Sequence, residues 1–474
     1  MTHKENSKEI GRTVEKSGFR EVLANLGFLF QFSGYLYLPS IAYSLYLGEK
    51  DVALSLFLTA MSFFLIGFPL NALCERKYLD LRGVSALLIL FYSLTPLVNT
   101  IPYLYLNIFG PLNLDNLLNS MFETLSGITT TGLTLLEGVE LPKALYLVRG
   151  INEWIGGIGI TFLLITFLYP STSLRYYGRV LGVEEVGGYK KSFLLILVVY
   201  TFYTFIFSLV LIFLGLDIFE AFHTVLTIFS TTGRTLRNVL LYPNFILIFI
   251  ALIMLFTSFS FTFHIYAFKK EWRRLLSREI LTYLIIIAIC SFLLSITSNL
   301  GVERSLFHVI DFSSSTGLNA IDFQSIGEGG KYVLTIIMML GPCLFSVGGG
   351  IKILRLYITG KVFYHELKAF VTGNREKVEI GEMELDSREA WSHIAITFLL
   401  VILLFIGAYL LMNDGYSFSE ALVESASALT TTGDSPRTLT AATPTSTKVT
   451  LMILMFLGRI EVIPLLNIIY FRRD

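Results

Sequence analysis

Residues 280–300, ILTYLIIIAICSFLLSITSNL, run for 21 positions without an Asp, Glu, Lys or Arg. About 20 apolar residues in a helix cross the hydrocarbon core of a bilayer. The chain has many such stretches, ALYLVRGINEWIGGIGITFLLITFLY at 144–169 among them. Of its 474 residues, 54% are hydrophobic and 15% charged, against roughly a quarter charged in soluble domains. No soluble core absorbs that much apolar surface, so the expected class is an all-α polytopic membrane protein in contact with lipid.

Charge supplies the orientation. The formal net charge is zero, which points to no nucleic acid or other polyanionic partner. Basic clusters at Lys4–Arg20, Arg76–Arg82, Arg175–Lys191, Lys269–Arg278, Lys352–Arg388 and Arg472–Arg473 hold 26 of the 36 Lys and Arg. The positive-inside rule puts them, and both termini, on the cytoplasmic side of a cell (plasma or inner) membrane. The polar first 20 residues run directly into a span, so no signal peptide is expected. Cys74, Cys290 and Cys343 have neither disulfide nor metal spacing.

Within this apolar background one polar pattern occurs four times: MFETLSGITTTGLT, FHTVLTIFSTTGRT, FHVIDFSSSTGLNA and LVESASALTTTGDS, aligned on Gly132, Gly233, Gly317 and Gly433. Each follows a span (about 80–106, 191–215, 279–298 and 390–412) and precedes another (about 143–169, 242–268, 331–359 and 447–471). The unit is span, short half-helix, Ser/Thr-Thr-Gly, span. Four units after an N-terminal hairpin give about ten spans. The division expected is 1–75 N-terminus and accessory hairpin, 76–190 repeat 1, 191–278 repeat 2, 279–388 repeat 3 and 389–474 repeat 4. The charge pattern places all four polar segments on the outer side, a result independent of the alignment.

A helix too short to span must re-enter, and irregular backbone at membrane depth survives only against protein or water. Four such elements can surround one pseudo-fourfold axis, with helix carbonyl ends favouring a cation there. Extended Thr130-Thr131-Gly132, Thr231-Thr232-Gly233, Ser315-Thr316-Gly317 and Thr431-Thr432-Gly433 segments can then present carbonyls in place of a hydration shell. Glycine reaches the positive-φ backbone this requires.

On these segments, together with WIGGIGI (154–160) opening the second span of repeat 1, GPCLFSVGGGIK (341–352) and GRIEV (458–462), the chain resembles the Trk/Ktr/HKT superfamily of potassium transporters, particularly the TrkH-type membrane subunits. The resemblance implies a single-chain pore that dimerises and passes K+ inward down its gradient. It also implies gating by a separate cytosolic nucleotide-binding ring of the TrkA/KtrA kind, with ATP/ADP or NAD bound there and no cofactor in this chain. Within the family, glycine at all four filter positions accompanies potassium preference. Sodium-permeable or sodium-coupled transport on the same fold is the alternative.

The 341–352 stretch interrupts a span with a proline and three glycines, so it should line the cavity beneath the filter as a gate. Gly341, Gly348, Gly349, Gly350 and Lys352 belong to it, and bulky Leu344 and Phe345 are expected to narrow the cavity. Arg459 falls near the middle of the last expected span, where a charge is costly and functional by default. By resemblance it holds the loop through carbonyls of Gly341–Gly350. Arg234 and Asp434, next after two filter glycines, are expected to meet at the outer mouth. Glu123, His223, His308 and Glu424 should hydrogen-bond behind the filter. The six histidines are scattered without HExxH, CxxC or a nucleophile elbow, so no enzyme is expected. A secondary transporter with inverted repeats fits poorly, because these repeats keep one orientation.

Overall fold

The computed structural model describes residues 18–73, 79, 81–163, 189–271, 275, 277–298, 300–318, 320–323, 325–373, 379–380, 383–384 and 387–461. Cys74, Val462 and the basic residues at 4–16, 76–77, 175–179, 273–274, 375–377 and 472–473 lie outside these. What is described is helical, apart from a two-residue hairpin pairing Glu379–Ile380 with Met383–Glu384.

The N-terminal helices Phe19–Leu36, Leu38–Tyr46 and Lys50–Asn71 precede the repeats. The first and third approach closely at Gly27 and Gly67, where an added Cβ would meet the other helix's backbone. Small residues let membrane helices pack backbone to backbone. This unit shares a hydrophobic cluster with repeat 1 that includes Phe30, Phe63, Tyr92 and Leu145, while a larger cluster joins repeats 2 to 4 with Phe122, Leu133 and Leu135 of repeat 1.

Each repeat opens on a long helix: Leu81–Asn99, Tyr189–Phe213, Arg278–Thr297 and Ser387–Asn413. Only 33% of the most apolar windows of the third and fourth is buried in protein, so two thirds of a very apolar surface needs lipid. Each long helix is followed by a pore helix: Leu114–Ile128, Ile218–Phe229, Val302–Ser314 and Phe418–Leu429. These have 12 to 15 residues and span roughly 18–23 Å, short of the roughly 30 Å hydrocarbon core. Asn113, Asp217 and Ser417 cap three of them with side-chain oxygens; Ser417 and Glu420 form a reciprocal capping box.

The inner helices that close the repeats depart most from expectation. In repeat 1 the helix Lys143–Leu163 runs unbroken, with residues 154–160 in its second half rather than at its start. In repeat 2 the expected span divides into Asn244–Ser258 and Phe261–Phe268. The freed groups are satisfied from repeat 3: the Cys343 N–H donates to the Ser258 carbonyl (3.1 Å) and the Phe261 N–H to the Phe345 carbonyl (3.2 Å). Repeat 3 divides into Glu328–Leu340 and Ile353–Thr372 around the 341–352 loop. In repeat 4 the helix Thr445–Arg459 stops at Arg459, and Glu461 has φ +58°. The continuous last span expected from the hydropathy is therefore corrected at Arg459, where the helix ends, and residues 462–471 of that span lie outside the described residues. Four helices among the described residues are long and apolar enough to cross a membrane: Lys50–Asn71, Arg82–Tyr105, Arg278–Thr297 and His393–Asn413. Breaks split several of the other expected spans.

Gly458 lies where a Cβ would overlap the carbonyl oxygen of Leu429, the last residue of the fourth pore helix, whereas a Cβ at Gly360 meets nothing within 4 Å. Gly458→Ala should lower stability in detergent by roughly 1–3 kcal/mol, and Gly360→Ala should raise it by about 0.5–1 kcal/mol. Equal melting temperatures for the two variants would contradict this packing.

Candidate ion-conducting site

All four pore helices end in the same turn. The residues at 130, 231, 315 and 431 adopt left-handed φ of +53°, +60°, +59° and +54° although they are Thr or Ser. The next N–H reaches back five residues to the helix: Thr131 to Ser126 (2.9 Å), Thr232 to Thr227 (2.8 Å), Thr316 to Asp311 (3.1 Å) and Thr432 to Ser427 (2.8 Å). This closure normally takes glycine at the left-handed position, so a side chain there carries strain that the packing must hold. The strained position repeats fourfold, which argues for a use.

That use concerns the hydroxyls. The residues flanking each left-handed position bridge to one another: Thr129 to Thr131 (2.9 Å), Ser230 to Thr232 (2.8 Å), Ser314 to Thr316 (2.6 Å) and Thr430 to Thr432 (2.8 Å). The hydroxyls of Thr130, Thr231, Ser315 and Thr431 are buried with no hydrogen-bond partner among the described residues. Leaving a buried polar group so costs about 1–3 kcal/mol. Two of these hydroxyls sit beside the 341–352 loop: a Cβ on Gly349 would come within 2.9 Å of the Thr431 Oγ1, and one on Gly348 within 3.2 Å of the Ser315 Oγ.

The glycines close the ring. Gly132, Gly233, Gly317 and Gly433 have φ of +92°, +69°, +66° and +94°. A Cβ on Gly132 would overlap the Thr232 carbonyl oxygen, on Gly233 those of Thr316 and Gly317, on Gly317 that of Thr432, and on Gly433 that of Thr131. The contacts run from repeat 1 to 2 to 3 to 4 and back to 1. The four expected filter segments thus come together in one closed ring, with the Thr131, Thr232, Thr316, Gly317 and Thr432 carbonyls against a neighbouring segment's glycine. A bridge between Leu136 and Thr440 joins repeats 1 and 4 again beyond the filter. On that side lies a cavity of about 410 Å³ bounded by Thr134, Glu137, Asp322, Glu420, Gly433 and Arg437.

Carboxylates brace the segments from behind. Glu123 accepts from the Thr134 hydroxyl (2.7 Å) and the Leu135 N–H, Glu424 from the Ser435 hydroxyl, and Asp311 from the Leu318 N–H (3.2 Å). Asp311 went unremarked in the sequence, although it occupies the place of Ser126, Thr227 and Ser427, six residues before each glycine. His223 and His308 are buried with Nδ1 unpartnered, against Tyr146 and Phe307 respectively. Hydrogen bonding behind the filter therefore holds for the two glutamates, and His223 bonds to the Tyr146 backbone. The expected meeting of Arg234 with Asp434 is corrected too. Arg234 folds behind the first segment, donating to the carbonyls of Gly132 (3.0 Å) and Leu133 and pairing with Glu123 (3.4 Å) and Glu153 (3.5 Å).

The gate candidates assemble directly below. The limb containing Gly348 and Gly349 lies against the carbonyls of Ser314 and Thr430, at the base of the ring. Leu344 and Phe345 stand on the other limb, buried in the large hydrophobic cluster, with the Leu344 N–H bonded to Glu279 (2.6 Å). Gly341 and Gly350, both at positive φ, pass in contact where the loop closes. Lys352 holds φ +76° while its buried ammonium donates to the Gly348 carbonyl and the Ser346 hydroxyl (3.3 Å). Arg459 donates to the Val347 carbonyl (3.2 Å), within the expected stretch, and to the Gly156 carbonyl of repeat 1 (2.6 Å). Glu461 pairs with Arg355. Gly156 as the second partner of Arg459 had no sequence signal.

Alanine at Gly132, Gly233, Gly317 or Gly433 should abolish selective ion flux, because each ring contact is needed. A variant keeping wild-type selectivity would contradict the closed ring. Arg459→Ala should raise basal flux about tenfold, the factor matching about 1.4 kcal/mol of lost closed-state stabilisation. Unchanged flux in a correctly folded variant would remove Arg459 from the gate.

The model of the TrkH family of cation transport proteins matches residues 294–472. An uncharacterised cation transporter of Methanocaldococcus jannaschii is 26% identical over 464 residues, covering 96% of both chains. The Trk system potassium uptake protein TrkH of Halomonas elongata is 26% identical, covering 82% of this chain and 85% of its own. The crystal structure of the potassium transporter TrkH from Vibrio parahaemolyticus superposes with a TM-score of 0.81, covering 95% of this chain and 98% of that one at 20% identity. In sequence and in fold the chain is therefore similar to TrkH-type proteins.

Proposed function

We propose that this chain is the pore subunit of a potassium uptake system. In it, K+ sheds its water at the four Ser/Thr-Thr-Gly segments and the Gly341–Lys352 loop with Arg459 sets the open state. The observation that carries this reading is the ring of four equivalent segments with four buried, unpartnered hydroxyls at one end. A monovalent cation takes oxygen ligands of that kind from carbonyls and hydroxyls in place of its hydration shell. The relatives named as potassium uptake proteins support K+ as the ion. They are transporters, and the reading needs no enzymatic step.

In this reading the 410 Å³ cavity faces outward and the loop faces the cytoplasm with both termini. The chain divides at 75, 190, 278 and 388 into an accessory hairpin and four pore repeats. It works as a homodimer, with nucleotide regulation supplied by a separate cytosolic ring. No cofactor is held in this chain, and the ion is its cargo. Sodium permeation on the same fold is the competing outcome.

Purified protein in liposomes should pass K+ down an imposed gradient and Na+ much less, with greater K+ flux when a cognate cytosolic ring protein is added. Equal Na+ and K+ flux would favour the sodium-permeable reading, and no flux of either ion under any gradient or regulator would overturn the proposal.

A further inference from the structure

Three of the residues that follow a filter glycine are Leu133, Leu318 and Asp434; the fourth is Arg234. A cation so close to a cation pathway needs a physical account, and its contacts supply one. Its side chain is 7% exposed and fully engaged behind repeat 1. Nε donates to the Gly132 carbonyl (3.0 Å), Nη2 to the Leu133 carbonyl and Nη1 to the Glu123 carbonyl (3.4 Å). Nη1 also lies 3.4 Å from the Glu123 carboxylate and 3.5 Å from that of Glu153. Arg149 pairs with the same Glu123 carboxylate at 3.2 Å. Two arginines and two glutamates thus form a buried cluster whose cationic member nearest the filter touches a filter-glycine carbonyl. No other cationic side chain donates to a filter-glycine carbonyl among the described residues.

A guanidinium stays charged at any accessible pH and offers its N–H groups in a fixed plane. Bonded to the Gly132 carbonyl, it competes with a permeating ion for that oxygen, and its charge opposes a cation at the same end of the filter. Glu123 and Glu153 offset the charge from one layer further back. The geometry points to Arg234 as a specificity-determining positioning residue that withdraws the first segment's last filter carbonyl from full ion coordination, making the outer filter site asymmetric and weak. This rests on the transport reading above. It predicts that a cation reaching the filter from the 410 Å³ cavity binds loosely and passes on rapidly.

The test titrates external K+ against flux in liposomes holding wild-type protein, Arg234→Gln or Glu153→Gln. In parallel, K+ is titrated as a thermal stabiliser of each protein in detergent. Glutamine at 234 removes the charge and frees the Gly132 carbonyl, so the K+ concentration for half-maximal flux and for stabilisation should fall by about threefold or more. Glutamine at 153 takes away a carboxylate beside the Arg234 guanidinium, so both midpoints should rise. Arg234→Lys, which keeps the charge, should stay nearer to wild type than Arg234→Gln. A merely structural role would reduce the number of active molecules and leave the midpoints where they were. That result, or shifts of the same sign in the two glutamine variants, overturns the inference. Should Arg234→Gln fail to fold, the upward shift in Glu153→Gln still decides. A wild type without K+ flux overturns the transport reading and this inference with it; wild-type flux with unmoved midpoints overturns only the inference.

Discussion

The contact on which the structure depends is backbone to backbone: each filter glycine lies against the carbonyl oxygen of the next segment, around the full circle of four repeats. No residue with a Cβ fits, for want of space, and none adopts those φ values without strain. The approach places four polar strands edge to edge in the middle of a very apolar protein, where each backbone group left without a partner would cost several kcal/mol. Short pore helices deliver the strands, the five-residue return bonds fix where each helix stops, and Glu123, Asp311 and Glu424 hold the following residues in place.

The inner helices meet this ring in four different ways. Repeat 1 keeps its helix and passes the ring at Gly156, where a Cβ would overlap the Ile128 carbonyl; repeat 4 passes it at Gly458 and then stops. Repeat 2 breaks at Phe259 and Ser260, and repeat 3 replaces three turns of helix with the glycine loop. The broken ends of repeats 2 and 3 satisfy one another, and Arg459 joins repeats 3 and 1 through two carbonyls. Charge-assisted bonds of this kind contribute about 1.5–3 kcal/mol each. The loop is therefore held from Arg459, Lys352 and Glu279 at once, and moving it requires a coordinated change at several contacts.

Repetition made much of this legible. Four Ser/Thr-Thr-Gly segments in one context predict a common role more strongly than any one of them, and the proline and glycines of 341–350 announce a break because they cannot continue a helix. The contacts between repeats were not legible. Arg234 looks like an outer-mouth residue in sequence, yet folds back 102 positions to Gly132. The break at Phe259 carries no proline or glycine, since its cause lies in the Cys343 and Phe345 backbone of another repeat. Leu344 and Phe345 look like obstructions by size, and their burial in the large hydrophobic cluster had no sequence signal. In each case the deciding partner is remote in sequence and local propensity is silent about it. Asp311 was the exception, for its place among three hydroxyl residues was visible in the alignment.

The central claim is that the four segments coordinate a dehydrated monovalent cation on their common axis. Crystals grown in Rb+ or Tl+ and measured at the anomalous edge test this directly. The account predicts anomalous density on the axis within reach of the Thr130, Thr231, Ser315 and Thr431 hydroxyls and the carbonyls above them. Density confined to other parts of the molecule, with the axis between those four residues empty at saturating ion, would contradict it.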